Sequence, residues 1–187
     1  MKREHGGNLI IFLKYILILF LFTFSTNCYS AVIRVSSSYE LNMSLNNVKD
    51  GDSIVINTGV YCGNFSINKS INLLSDGFVV LTSNGNENIL TINSSGVKIT
   101  DILFYNSGKD MFKRNACVFI NGNNTSVFKN FFSECGFAIW VNDSSYNYIL
   151  DNIFIGTSDI NLSDRGNTIQ LYKSNNTVLS NNFIING

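Results

Sequence analysis

Val118-Phe-Ile120, then Val127, Asn130 and Phe132; Ile139-Trp-Val141, then Ile149, Asn152 and Phe154; Ile169-Gln-Leu171, then Val178, Asn181 and Phe183: one pattern runs three times between residues 117 and 183. Leu90-Thr-Ile92, followed by Ile99, Ile102 and Phe104, is a fainter copy ahead of them. Each unit is apolar-x-apolar, a polar bend, then apolar-x-x-Asn-x-aromatic. Strict alternation marks half-buried strands. Such a short unit cannot bury its apolar face alone, so the units must stack on one another. The pattern predicts an all-β chain folded as a right-handed, single-stranded parallel β-helix. Stacking would put the aromatics in one internal column and Asn130, Asn152 and Asn181 in another, where amides bond to one another along the axis.

Working outward, the composition suits one compact domain. The chain has 187 residues, 45% of them hydrophobic, with 13 Lys and Arg against 13 Asp and Glu. Zero net charge and no basic stripe exclude nucleic acid as an expected partner. There is no proline, so turns must be built from Asn, Ser and Gly.

Residues 1–30 read as a secretory signal rather than part of the fold. Lys2 and Arg3 form a positive start, Leu9 to Phe24 is apolar around Lys14, and Cys28-Tyr-Ser30 sets small residues before Ala31. The uninterrupted apolar run from Tyr15 to Phe24 is short of the ~20 residues of a membrane span. The expected location is periplasmic or secreted, with the β-helix domain over 31–187. Cleavage removes His5, the only histidine, and with it histidine general-base catalysis and imidazole metal sites. Cys62, Cys117 and Cys135 remain, an odd number, so at least one thiol is free, pairs between chains or binds metal.

The first coils are less regular. Val32 to Val35 reads as a strand. Leu41, Leu45 and Val48 have helical spacing behind Ser38 as N-cap, predicting a short helix that caps the open end of the stack. Asp50-Gly-Asp is a turn. Strands follow at Ile54-Val-Ile56, Phe65-Ser-Ile67, Ile71-Asn-Leu73 and Val79-Val-Leu81, punctuated by Gly59, Gly63 and Gly77. Cys62 is placed in a turn of these coils.

Insertions follow from the rung spacing. Val118 to Ile139 is the shortest interval; its neighbours carry additional residues over roughly 105–116 and 156–168, both leaving the same corner. Insertions on one edge of a solenoid commonly build its binding face. The charges collect there: Lys109, Asp110, Lys113 and Arg114 in the first insertion, Asp159, Asp164 and Arg165 in the second, with Glu134 between them. Coils lie about 4.8 Å apart, so loops separated by one coil can touch.

Four stretches carry a likeness to a known family: Asp50-Gly-Asp-Ser-Ile-Val-Ile-Asn-Thr-Gly-Val-Tyr61 with Ile67-Asn-Lys-Ser-Ile-Asn-Leu73; Val97-Lys-Ile-Thr-Asp-Ile-Leu-Phe104; Gly136-Phe-Ala-Ile-Trp-Val141; and Asp164-Arg-Gly-Asn-Thr-Ile-Gln-Leu-Tyr172 with Ser174-Asn-Asn-Thr-Val-Leu-Ser-Asn-Asn182. Together they resemble the NosD family of periplasmic β-helix proteins, within a broader carbohydrate-binding and sugar-hydrolase-like group. The resemblance implies a non-catalytic accessory role, in which the protein docks on a membrane ABC transporter and its ATPase while the copper centre of nitrous-oxide reductase is matured. Family members are longer, and a strand ending at Gly187 with no C-terminal cap reads as the N-terminal part of a longer β-helix.

Three site chemistries follow. Copper takes soft ligands, and with imidazole gone the candidates are Met111, Cys117 and Cys135 beside the inserted corner. The alternative is that the two cysteines are coil residues or form a disulfide in an oxidising compartment. A rival reading is a uronate lyase or epimerase of the β-helix type, with Asp110, Asp159 and Asp164 binding Ca²⁺ and Lys113, Arg114 and Arg165 supplying base and clamp. In that reading Tyr105, Phe112 and an outward-facing Trp140 offer a sugar-stacking surface. Against it stands a solvated loop with internal ion pairs. An inert structural or adhesive solenoid needs no site at all.

Overall fold

The structure, a computed structural model, describes residue 14 and residues 30–156 and 166–186. The signal sequence read over 1–30 therefore lies outside the described residues except at Lys14 and Ser30. The chain starts with β1 (Val32–Val35), a helix α1 (Ser38–Asn47) and β2 (Ser53–Cys62). Strands β3 (Phe65–Ile67), β4 (Asn72–Thr82), β5 (Leu90–Ile92), β6 (Lys98–Thr100) and β7 (Leu103–Tyr105) follow. The regular coils contain β8 (Ala116–Ile120), β9 (Ser126–Phe128), β10 (Phe131–Ser133), β11 (Phe137–Asn142), β12 (Tyr148–Leu150) and β13 (Ile153–Ile155). The last described coil holds β14 (Ile169–Tyr172), β15 (Val178–Ser180) and β16 (Phe183–Ile185).

Every strand pairing is parallel and joins a coil to its neighbour, which makes the chain a parallel β-helix of about five turns. One face runs β14-β11-β8-β5-β3. The other ladder runs β15-β12-β9-β6-β4-β7-β10-β13-β16, because the long β4 pairs through its first residues with β6 and through Val80 and Leu81 with β7. Strands read separately around Gly77 are thus one bent strand. Gly77 has φ +97°, and a Cβ there would sit 2.1 Å from the Thr58 hydroxyl, so glycine is required at the bend. The rung intervals hold: Leu90 pairs with Val118, Val118 with Ile139, and Ile139 with Ile169.

Helix α1 begins one residue earlier than read. Ser37, in extended backbone, is the N-cap; its hydroxyl accepts from the Glu40 N–H, and the Glu40 carboxylate accepts from the Ser36 N–H. This is a capping-box arrangement with the carboxylate displaced by one residue. Leu41 and Leu45 are buried against the first coils.

The inner columns explain the repeat. Phe104, Phe132 and Phe154 stack with centroids 5.1 and 4.8 Å apart. Next to them each coil bends sharply at a residue in the left-handed region: Asp101, Lys129, Asp151 and Asn181, with φ of 60°, 56°, 55° and 54°. The following residue turns inward. At three coils it is an Asn: the Asn130 side chain accepts from the Ile102 N–H, that of Asn152 from the Asn130 N–H, and that of Asn182 from the Asn152 N–H, at 3.1, 2.9 and 2.9 Å. Each amide nitrogen also donates to a strand carbonyl of the preceding coil, that of Ile99, Val127 or Ile149. A buried N–H must find an acceptor, and at the bend that acceptor is the Asn side-chain oxygen of the next coil rather than a strand carbonyl.

The last coil corrects the sequence reading. Its inward residues are Leu179, Asn182 and Ile184, aligned with Ile149, Asn152 and Phe154, and not Val178, Asn181 and Phe183. The segment Val178-Leu-Ser-Asn-Asn-Phe-Ile184 fits apolar-x-x-Asn-x-apolar in two registers one residue apart, and such a slip exchanges faces. The pairings of Ile149 with Leu179 and of Phe154 with Ile184 select the second register. Asn181 occupies the bend, and Phe183 is 61% exposed.

Replacing Asn152 with Ala orphans the Asn130 N–H and removes the side-chain donor to the Val127 carbonyl, and is expected to cost about 2–3 kcal/mol in total. Asn181→Ala loses only an easy left-handed conformation, about 1 kcal/mol. Thermal melts of the two variants check this; equal destabilisation contradicts the register.

Candidate functional site

A column of close-packed glycines creates the corner from which the insertions leave. A Cβ on Gly136 would lie 2.4 Å from the Gly108 carbonyl oxygen and 2.7 Å from that of Asn115; one on Gly166 would lie 2.3 Å from the Gly136 carbonyl oxygen and 2.8 Å from Met111 Cε. Backbone thus rides on backbone across three coils. The last contact shows that the first insertion reaches the end of the second, as expected for loops one coil apart.

The first insertion is a built loop. Asp110 accepts from the Phe112 and Lys113 N–H groups at 2.9 and 3.1 Å, closing a tight turn over 111–114. Asn115, 5% exposed, anchors its base, accepting from the Asp110 N–H, while the buried Ser107 hydroxyl accepts from the Gly136 N–H at 2.9 Å. Both anchors were missed in the sequence, because a lone Ser or Asn inside a polar loop gives no periodic signal.

The rim charges are largely engaged with one another. Lys109 pairs with Glu134 at 2.8 Å across one coil, both half-exposed, and the Lys113 ammonium is 3.9 Å from Asp110. Exposed pairs of this kind contribute little stability, about 0–1 kcal/mol. Arg114, in left-handed backbone, lies 5.4 Å from the Trp140 ring centre and 5.6 Å from that of Tyr172. Asp159, Asp164 and Arg165 lie outside the described residues.

Trp140 faces away from the coil interior, as the alternation requires, yet is only 9% exposed. Phe119 stacks on it at 6.3 Å, Phe137 meets it edge-on at 4.7 Å, and Met111 and Ala116 pack into the same cluster. The expected sugar-stacking surface of Tyr105, Phe112 and Trp140 is therefore not formed. Tyr105 is on β7 in the longer ladder, Trp140 on β11 in the other face, and Phe112 stands alone on the loop with 99% exposure.

Cys117 and Cys135 form a disulfide, with Cα atoms 5.6 Å apart. It ties the start of β8 to the turn carrying Glu134. Of the readings the sequence left open, this state is the disulfide one. With both sulfurs bonded to each other and Met111 packed among Ala116, Phe137 and Trp140, the Met111, Cys117, Cys135 set does not fit a copper ion. No group of three His, Cys, Asp or Glu side chains converges among the described residues, so Asp110 has no acidic companions there for Ca²⁺. Cys62 is a free, exposed thiol at the end of β2 rather than in a turn, and accepts from the Asn84 amide.

These features define the class: a parallel β-helix whose loops build a disulfide-braced ledge at one corner. No family model matches the chain. It is similar to the probable ABC transporter binding protein NosD of Pseudomonas aeruginosa, with 26% identity over 126 residues, 66% of this chain. The match covers 29% of that protein, less than a third of its length. Among solved structures, the alginate lyase from Paenibacillus sp. str. FPU-7 superposes with a TM-score of 0.53 and 15% identity, covering 82% of this chain and 76% of that one. That likeness shows the fold. Sequence likeness and solenoid together fit a NosD-like β-helix family.

Reduction, or Cys117→Ser with Cys135→Ser, is expected to lower stability by about 3 kcal/mol for a closed loop of this size. Gly136→Ala must displace two carbonyls and is expected to cost at least about 2 kcal/mol. Denaturant midpoints measure both; an unchanged midpoint in either contradicts the braced corner.

Proposed function

We propose that this protein is an exported, non-catalytic accessory scaffold that binds a membrane ABC transporter outside the cytoplasm, in the service of copper-site maturation of nitrous-oxide reductase. The likeness to a protein named as an ABC transporter binding protein, running over two-thirds of the chain, carries this reading. The geometry supports binding over turnover. Lys113 is the exposed base candidate, but it stands beside Asp110, whose carboxylate already closes the turn, and Arg114 is laid across two aromatic rings. Copper needs no ligand from this chain in such a role.

The ledge is the contact. Phe112 is almost fully exposed on a turn fixed by Asp110, with Lys113 and Arg114 beside it. A rigidly held aromatic flanked by cations is the kind of anchor that carries binding energy at an interface.

Co-expression with the permease and ATPase of an ABC transporter from the same genome tests this. The wild type is expected to co-purify with the permease, and Phe112→Ala to weaken the association about tenfold or more. Failure of the wild type to co-purify, with release of unsaturated uronate from alginate or pectate, would replace the scaffold by a lyase.

A further inference from the structure

One buried carboxylate lies far from the ledge, at the very start of the fold. Asp52 is 6% exposed. One of its oxygens accepts from the Ala31 N–H at 2.7 Å and the other from the Lys49 N–H at 2.9 Å. The Ala31 carbonyl accepts from the Ser53 N–H at 2.8 Å, and β1 pairs with β2 from the next residue onward. Ala31 is therefore the residue through which the chain enters the first coil. Ser30 and Ala31 are both exposed, and the Ser30 hydroxyl donates to the Gly51 carbonyl at 2.6 Å. In the sequence, the Ser30–Ala31 bond is the one that follows a charged start, an apolar run and small residues at Cys28 and Ser30.

The Ala31 and Lys49 N–H groups already favour the ionised Asp52 carboxylate, with the Lys49 charge adding to them, and an ammonium in place of the Ala31 amide forms a shorter and stronger charge-assisted bond. We infer that Asp52 is the seat of a new N-terminus: cleavage of the Ser30–Ala31 bond places an α-ammonium on the Asp52 carboxylate and fastens the first coil. The inference rests on the export reading above. In the step, water adds across the amide under an export endoprotease that accepts small side chains. Ser30 leaves with the new carboxylate, and the Ala31 nitrogen takes the protons that make it –NH₃⁺. The departing Ser30 also frees the Gly51 carbonyl beside the seat. Processing thus adds an ion pair to an existing hydrogen bond, and the processed protein is more stable than its precursor.

The pH window follows. The Ala31 N–H, then that of Lys49, holds the Asp52 carboxyl below its usual range, against burial. Its share of stability is present above about pH 4 and fades as pH falls through the lowered value. An ammonium seated on Asp52 is raised above its usual value near 8, so its share is full below about pH 8 and fades as pH rises through the raised value.

Exported protein is analysed by N-terminal sequencing and then melted before and after selective acetylation of the α-amine, which removes its charge. The expected N-terminus is Ala31, with the free-amine form melting about 2–4 °C higher at pH 7. That gap is expected to vanish above about pH 10 and in Asp52→Asn. A start at another residue, or identical melting of the two forms at pH 7, overturns the inference while leaving export standing. Protein that never leaves the cytoplasm overturns the export reading instead.

Discussion

The buried Asn side chain that bridges each coil to the one before it is the interaction on which this structure depends. A β-helix must turn corners, and each corner takes a backbone N–H out of the strand ladder. Left unpaired inside the stack, such a group costs about 1–3 kcal/mol. Asn130, Asn152 and Asn182 supply the acceptor and use their remaining N–H on a strand carbonyl. Because the bridge needs an Asn directly after a left-handed residue, it fixes where each coil bends, and thereby which residues face inward. The first regular coil has Ile102 at this place: it donates its N–H to Asn130 and has an apolar side chain, buried against the core.

With the bends fixed, the positions of the insertions follow. Coils of matched register bring Gly108, Gly136 and Gly166 to one corner, where only glycine allows the backbones to approach. The disulfide between Cys117 and Cys135 and the Lys109–Glu134 pair tie neighbouring coils at that place. Aromatic cover on Trp140 then gives the ledge an apolar underside. The result is a stiff platform that presents Phe112 and its neighbouring cations, an arrangement suited to holding a partner.

Much of this architecture was legible in the sequence because it is periodic. The strand intervals, the phenylalanine column and the shared corner all follow from counting residues. The last coil was not, since two consecutive asparagines in Ser180-Asn-Asn-Phe183 allow either register, and only pairing across coils decides between them. Alternation also gave Trp140 its correct outward direction but could not show that Phe119, Phe137 and Arg114 cover it. A second internal bridge was invisible too: buried Asn147 accepts from the Thr125 N–H, and the copies of this corner differ in sequence. The cysteines could be read as neighbours but not as bonded, because oxidation state is not written in spacing.

Amide hydrogen exchange measured residue by residue addresses the central claim most directly. If the Asn bridges hold the coils in register, the N–H groups of Ile102, Asn130 and Asn152 exchange as slowly as those of the buried strands, although they lie at bends. Exchange of these three as fast as the loop amides of Phe112 and Lys113 would show that the bridges do not hold, and the register built on them would fall.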